Sequence, residues 1–275
     1  MKLINQNYIN KIVKQALNED LKPNGDITSE LLNNEIKKAK IIAKQNGIVA
    51  GLEFCQSAFK LIDKETIFHK KIKDGSKVKK GQVVAIIYAK TKTILTAERT
   101  ALNFLCHASG IATLTNKFII RSNNKTKICC TRKTTPNLRL LEKYAVKKGG
   151  GFNHRYNLSD EIMIKDNHIS AYTNLRELLI KAIKTKKTIT VEIDNINQLK
   201  KILGLKFKRI LFDNMNLRVL KKCLILCKNK YQTEYSGNVN LKNVRKISET
   251  KVNRISIGSL THSAKSFDYS LELLS

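Results

Sequence analysis

The 275-residue chain is predicted to be an α/β protein in two parts, an α+β domain followed by a β/α barrel. Three observations predict it. From residue 126 onward, short β-branched runs alternate with helical patterns, as parallel strands joined by crossover helices require. Earlier, short strands are broken up by helical stretches and turn residues, the rhythm of a mixed domain. The later runs also end, one after another, in charged, serine or glycine residues, which a barrel would bring to one mouth. The domains are placed at 1–112 and 113–275, with the last residues free to pack back on the first domain.

In the first domain, Tyr8, Ile9, Ile12, Val13, Ala16 and Leu17 fall at helical spacing, so residues 5–18 open the chain as an amphipathic helix. Pro23-Asn24-Gly25-Asp26 closes it, and Asp26 or Thr28 can cap the next helical turn. Residues 38–49 read as a strand, 52–62 as a helix, and 66–72 and 82–87 as short strands. Between the last two, residues 74–81 carry the Asp-Gly and Lys-Gly chemistry of a tight turn. From 97 to about 120 there is no proline, and Leu102, Leu105, Ala108 and Ile111 form a helical stripe, so a long helix or helix pair links the two parts. Arg99 at its start reads as a surface arginine pairing with Glu98 or Glu53.

In the second domain, strands are expected at 126–130, 160–165, 188–193, 208–212, 231–235 and 253–257. Helices are expected at 137–148, 173–184, 195–203, 216–229 and 240–250. The strand ends carry Thr131-Arg132-Lys133, Lys165, Glu192, Asp213, Ser236-Gly237 and Gly258. A doubly wound sheet would place ligands only at its switch point, so six consecutive functional strand ends favour the barrel.

Composition narrows the function. There are 52 Lys+Arg against 22 Asp+Glu, a formal net charge of +30. The lysines are scattered as dyads along the whole chain, and aromatics are 6% with no Trp, so neither a docking arm nor a stacking face for nucleic acid is present. No apolar run is long enough to span a bilayer, and the six cysteines lack metal-ligand spacing. Adjacent Cys129 and Cys130, and Cys223 and Cys227 on one helix face, read as core packing, as in a cytoplasmic protein.

The mouth would gather Arg132, Lys133, His154, Arg155 and Lys165 with the carboxylates Glu192 and Asp213, a pocket for something small and heavily anionic. Ser236-Gly237-Asn238 and Gly258-Ser259, after late strands, suit a phosphate held by backbone N–H groups. The two carboxylates either hold Mg²⁺ with water and phosphate oxygens, or pair with Lys165 or Arg132. The polar loop makes a ligand contact the expected role of His154, with a core histidine as the alternative; His69 and His107 read as structural. No activated nucleophile is evident, so charge placement rather than a covalent enzyme intermediate is expected to carry the chemistry.

Several stretches together give the chain a family likeness: EDLKPNGDITSELL, AERTALNFLCHASGIATLT, CTRKTTPNLRLLEKYAVKKGGGFNHRYNLSDEIMIKDNHI, TVEIDN, ILFDNM, EYSGNV and ISIGSLTHS. Over nearly its whole length it resembles the quinolinate phosphoribosyltransferases, also called nicotinate-nucleotide pyrophosphorylases (carboxylating). The resemblance implies an α/β sandwich N-terminal domain on an incomplete, TIM-like β/α barrel. It implies quinolinate and phosphoribosyl pyrophosphate as substrates, nicotinate mononucleotide, pyrophosphate and CO₂ as products, Mg²⁺, and a homodimer. By the same resemblance, Arg132, His154, Arg155 and Lys165 would hold the quinolinate carboxylates, joined by Arg99 from the second subunit in place of a surface role. Lys133, with Glu192 and Asp213 acting through Mg²⁺ and the ribose hydroxyls, would hold the pyrophosphate end; Lys133, Lys165, Glu192 and Asp213 are the expected catalytic groups. Thr131 would line the substrate site, and Ser236, Gly237, Asn238, Ile257, Gly258, Ser259 and His262 would surround the 5′-phosphate.

Overall fold

A computed structural model describes residues 4–172 and 174–274. They fall into two compact units: the described parts of 1–116, 136–150 and 263–275, and those of 117–135 and 151–262.

The first unit opens with α1 (Gln6–Leu21), whose N-terminus is capped by Asn5 accepting the Tyr8 N–H at 2.9 Å. Asp26 then accepts the Ser29 N–H at 3.1 Å, filling the capping role expected of it. The predicted strand at 38–49 is two pieces, β1 (Ile36–Ala43) and β2 (Gly47–Ile48), because Lys44-Gln45-Asn46 turns the chain between them. α2 (Leu52–Ile62) covers the residues expected of it. Its first N–H groups, Gly51 and Leu52, donate to Asp74 at 2.8 and 3.2 Å, so the turn after β3 (Ile67–Lys70) supplies the helix cap. β4 (Lys77–Val78) and β5 (Val83–Lys90) follow, and α3 (Thr91–Arg121) is one continuous helix that starts directly at the end of β5.

β1, β5 and β3 form an antiparallel sheet whose fourth strand, β12 (Tyr269–Leu274), is not among the strands expected from the sequence; it pairs with β1 from Lys38↔Leu274 to Ala43↔Tyr269. Helices cover this sheet through a buried core that includes Ile41, Phe54, Phe59, Ile87, Leu105 and Ile111. The same unit holds α4 (Arg139–Lys148), whose Glu142 is fully buried against His107 at 3.0 Å and whose Tyr144 hydroxyl donates to Asp74 at 2.7 Å.

The second unit is a six-stranded parallel sheet in the order β6-β11-β10-β9-β8-β7. In chain order it runs β6 (Lys127–Cys129), β7 (Ile162–Ile164), α5 (Asp166–Tyr172), α6 (Leu175–Lys184), β8 (Ile189–Ile193), α7 (Ile196–Ile202), β9 (Arg209–Asp213), α8 (Leu217–Cys227), β10 (Gln232–Ser236), α9 (Val244–Ser248), β11 (Arg254–Ser256) and α10 (Ser259–His262). All six strands lie within a residue or two of their expected positions; α5 and α10 are additions to the expected helices, being too short to show a helical stripe. Cys223 and Cys227 are buried together with Leu220, as their spacing implies.

The sheet is rolled. Laid flat, its two edge strands would be about 24 Å apart. Yet Phe152 bridges to Cys129 on β6, and two residues on, His154 lies 3.0 Å from Glu161, the residue before β7. The segment 152–161 therefore closes the gap between the edges, which makes the unit an incomplete β/α barrel. Alternation follows the pleat. Val191, Ile193, Ile210, Phe212, Tyr235 and Ile255 are buried on the outer face, whereas Thr190, Glu192, Arg209, Asp213, Glu234, Ser236, Arg254 and Ser256 share the inner one.

The first unit supplies a stability test. A Cβ on Gly110 in α3 would lie 2.3 Å from the Lys265 carbonyl oxygen. Gly110→Ala gains about 1 kcal/mol of helix propensity, but the backbone clash should outweigh it, leaving a net loss of about 1–3 kcal/mol. Urea unfolding monitored by circular dichroism should show a lower midpoint; an unchanged or raised midpoint would contradict this packing.

Candidate active site

The mouth is built where the inner-face alternation reaches the carboxyl ends of the strands. Lys165, just after β7, is in line with Glu192 on β8, and its Nζ donates to Glu192 Oε2 at 2.5 Å. The pairing with Lys165 that the sequence offered for this carboxylate is present. On the neighbouring strand, Asp213 ends β9 level with Ser236 at the end of β10, and Ser236 Oγ donates to Asp213 Oδ1 at 2.6 Å. Burial raises the Glu192 carboxyl above its ordinary range, Lys165 opposes this by hydrogen bond and charge, and Asp213 and Asp166 add to it.

The glycine-bearing strand ends form a backbone cradle. Gly237 has φ +94°, and a Cβ there would stand 2.7 Å from the Asn214 backbone nitrogen, so only glycine permits this approach. Asn214 N–H donates to the Ser236 carbonyl at 2.8 Å, and Asn238 Nδ2 to Asn214 Oδ1 at 3.0 Å. Across the mouth, Gly258 leaves room for two neighbours, since a Cβ would meet Lys133 Cδ at 3.0 Å and His262 Nε2 at 3.1 Å. Thr261 Oγ1 ties this turn to the loop after β6 by donating to the Lys133 carbonyl at 2.6 Å. Lys133, Gly258 and His262 are thus brought together, with Ser259 opening α10 beside them; Ile257 is buried in the core and pairs through its backbone N–H with the Cys129 carbonyl at 2.9 Å. Thr131 accepts the Lys133 N–H at 3.0 Å, which fixes the bend of the same loop.

Two guanidiniums stand beside one another without full compensation. Arg132 Nε is buried with no hydrogen-bond partner. The Arg155 guanidinium is held below its ordinary value by burial and by the charge of Arg132, and Glu161 and Asp160 offset this in part. Arg155 Nη1 donates to the Glu161 carbonyl at 3.2 Å, which aims the side chain. A buried cation donor without an acceptor is costly, and an anion in that position would remove the cost.

His154 lies lower, only 7% exposed, with Nδ1 3.0 Å from Glu161 and Nε2 3.4 Å from Glu234. Around it the barrel interior holds an ionic cluster that sequence reasoning missed. Arg209 reaches Glu161 at 3.3 Å and Glu234 at 3.5 Å and donates to Thr190 Oγ1 at 3.0 Å. Arg254 reaches Glu234 at 3.5 Å, and Ser256 donates to the same carboxylate. The sequence does carry a signal for it: polar residues at 190 and 192, 209 and 213, 234 and 236, and 254 and 256 recur at even spacings, with apolar residues between them. Arg99, on α3 of the first unit, is exposed, and Glu53 is engaged with Lys70 at 2.5 Å.

Comparison with known proteins gives the chain its relatives. The family model described as "Quinolinate phosphoribosyl transferase, N-terminal domain" matches residues 26–109, and that of the C-terminal domain matches residues 111–272. The chain is 39% identical over 277 residues to the probable nicotinate-nucleotide pyrophosphorylase [carboxylating] of Bacillus subtilis, covering 98% of this chain and 95% of the relative. It is 37% identical over 285 residues to quinolinate phosphoribosyltransferase [decarboxylating] 1 of Nicotiana glauca, covering 95% and 81%. Among solved structures, the nicotinate-nucleotide pyrophosphorylase of Ehrlichia chaffeensis superimposes with a TM-score of 0.93 at 37% identity, covering 100% of both chains. That of Francisella tularensis gives 0.95 at 33%, covering 99% and 98%. Human nicotinic acid phosphoribosyltransferase, at 0.64 and 11% over 99% of this chain and 75% of its own, shares the fold alone.

The Glu192–Lys165 pair sets a pH dependence. The folded state holds the Glu192 proton more tightly than the unfolded state does, so stability falls as pH rises between the ordinary carboxylate range and the raised value. Lys165→Met removes the influence that lowers this carboxyl, and should carry the falling window to higher pH. Melting temperatures followed across that range should diverge from the parent's; coincident curves would contradict the pairing.

Proposed function

The chain belongs to the quinolinate phosphoribosyltransferase family, and from that premise we infer how its mouth works. It is a decarboxylating phosphoribosyltransferase of NAD biosynthesis. Quinolinate and phosphoribosyl pyrophosphate are the substrates of this reading, and nicotinate mononucleotide, pyrophosphate and CO₂ its products. The observation that carries the substrate assignment is the pair Arg132 and Arg155, one with a buried, unpartnered Nε. Two guanidiniums, with Lys165 at the end of β7 on the same barrel, suit two carboxylates on one ring better than a single acid group.

The steps follow from charge. As pyrophosphate departs, positive charge grows at the ribose C1, where the quinolinate nitrogen attacks. Lys133, whose side chain lies against Gly258, would hold the negative charge of the departing group, while the Gly237 and Gly258 turns, with Asn238, Ser259 and His262, would hold the 5′-phosphate. The ring nitrogen becomes positive on bond formation, so the electron pair left by CO₂ at C2 is stabilised beside it. The arginines fix the ring so that this carboxylate is next to the reacting nitrogen. Glu192 and Asp213 would orient the ribose hydroxyls.

Magnesium belongs to the same reading. Among the described residues no group of three or more His, Cys, Asp or Glu is gathered as a metal cage. Glu192 and Asp213, on one face of adjoining strands, fit Mg²⁺, which keeps several waters and needs only one or two carboxylates with substrate phosphates. When bound it would supply positive charge to the phosphate oxygens. The active unit is taken to be a homodimer in which Arg99 of the partner subunit enters the mouth, a role that its exposure on α3 supports. The cytoplasm is taken as the site of reaction, in keeping with six free thiols.

Incubation with quinolinate, phosphoribosyl pyrophosphate and Mg²⁺ should release CO₂ in equal amount to nucleotide; turnover of nicotinate without CO₂ would overturn the assignment. Arg132→Ala should lower kcat/KM by about 100-fold or more. For the shared site, Arg99→Ala and Lys133→Ala chains, each inactive alone, should regain activity when mixed. Demonstrated subunit exchange without such rescue would count against the partner's Arg99.

A further inference from the structure

Glu234 is fully buried in the middle of β10, two residues below Ser236, too deep to meet a substrate at the mouth. It is nevertheless where the barrel's interior charges meet: His154 Nε2 at 3.4 Å, Arg209 Nε and Arg254 Nε each at 3.5 Å, and the Ser256 hydroxyl. We propose that Glu234 is a positioning residue for quinolinate, setting from below the placement of His154 and of the segment that carries Arg155. The inference rests on the reading of Arg132, His154, Arg155 and Lys165 as the dicarboxylate site.

Three of the four neighbours of Glu234 also hold that segment. Arg254 Nη2 donates to the Asn153 carbonyl at 3.3 Å, one residue before His154. Arg209 Nη1 reaches Glu161 at 3.3 Å, and the Glu161 carbonyl in turn accepts from Arg155. His154 is itself the third link. The segment 152–161 spans the open side of the barrel, where, among the described residues, only the Cys129↔Phe152 bridge joins it to a strand as sheet. Side-chain ties must therefore hold it, and Glu234 balances both arginines that make them.

The phosphate half of the mouth is held differently. Ser236 to Asp213, Asn214 to Ser236, Asn238 to Asn214 and Thr261 to Lys133 are the bonds that shape it, and none involves the Glu234 carboxylate. Burial alone would raise the Glu234 carboxyl, but His154, Arg254 and Ser256 outweigh it and hold it below its ordinary range. It is accordingly a full negative charge at neutral pH, the state that anchors two guanidiniums. Neutralising it releases the quinolinate half and spares the phosphate half.

The test is Glu234→Gln, which keeps the shape and removes the charge, beside Ser256→Ala, which keeps the charge and removes one donor. Both are read by steady-state kinetics and by calorimetric titration of quinolinate. Loss of an outer partner of this kind typically costs about 10–100-fold in the affinity of the site it supports. Glu234→Gln should raise KM for quinolinate by at least about tenfold while KM for phosphoribosyl pyrophosphate stays within about twofold. Ser256→Ala should move the quinolinate KM the same way by a smaller factor, and it decides the matter alone if Glu234→Gln does not fold. Equal rises in both KM values, or a change in neither, overturn the proposal. If the parent protein binds no quinolinate, the site reading falls and this inference with it. If the parent binds and Glu234→Gln binds as tightly, the inference alone falls.

Discussion

Charge compensation inside the rolled sheet is the constraint on which the rest of the second unit depends. Two arginines, a histidine and two glutamates fill a space that a barrel more often fills with branched aliphatics. Burying such groups gives little net stability, because desolvation opposes attraction, yet removing one partner costs about 3–5 kcal/mol by stranding the others. Their presence is therefore not explained by stability. It is explained by what they support: a chain segment that closes the barrel's open side and carries Arg155 beside Arg132.

The mouth and its floor are opposites. Below, guanidiniums and carboxylates are ion-paired at 3.3–3.5 Å, although Arg209 Nε and Glu234 Oε2 make no hydrogen bond. Burial would raise the Glu234 carboxyl, but His154, Arg254 and Ser256 hold it below its ordinary range. Above, Arg132 keeps a buried donor unpartnered and Arg155 feels the repulsion of Arg132. A site meant for two anions has to hold this excess of positive charge before they arrive. The ion pairs of the floor tie the segment 152–161 against that repulsion. The net charge of +30 exceeds what the pocket needs, and most of the lysine dyads lie exposed along the chain, where they can raise the encounter rate of anionic substrates.

The two units solve their burial problems differently. In the first, glycine lets backbone segments touch, as at Gly110 and Lys265, and Asp74 caps α2 while accepting from Tyr144 far along the chain. In the second, helices bury the outer face of each strand and leave the inner face to polar chemistry. The Lys165–Glu192 pair spans that boundary, its carboxylate on the inner face and its lysine at the rim.

By itself the sequence determined the two-part α/β plan, the positions of the six parallel strands, and the residues at their carboxyl ends. These follow from local periodicity: apolar spacing of two or of about 3.6 records which face of an element is buried, whatever it packs against. What only the tertiary structure decided were pairings between residues distant in sequence. β12 joins β1 more than two hundred residues away, and its short apolar run carries no sign of that partner. Likewise His154 reads as a polar loop residue until the sheet rolls and brings Glu234 to its other ring nitrogen. Local pattern tells a side chain to be buried; only the closed barrel tells it which charge it must meet there.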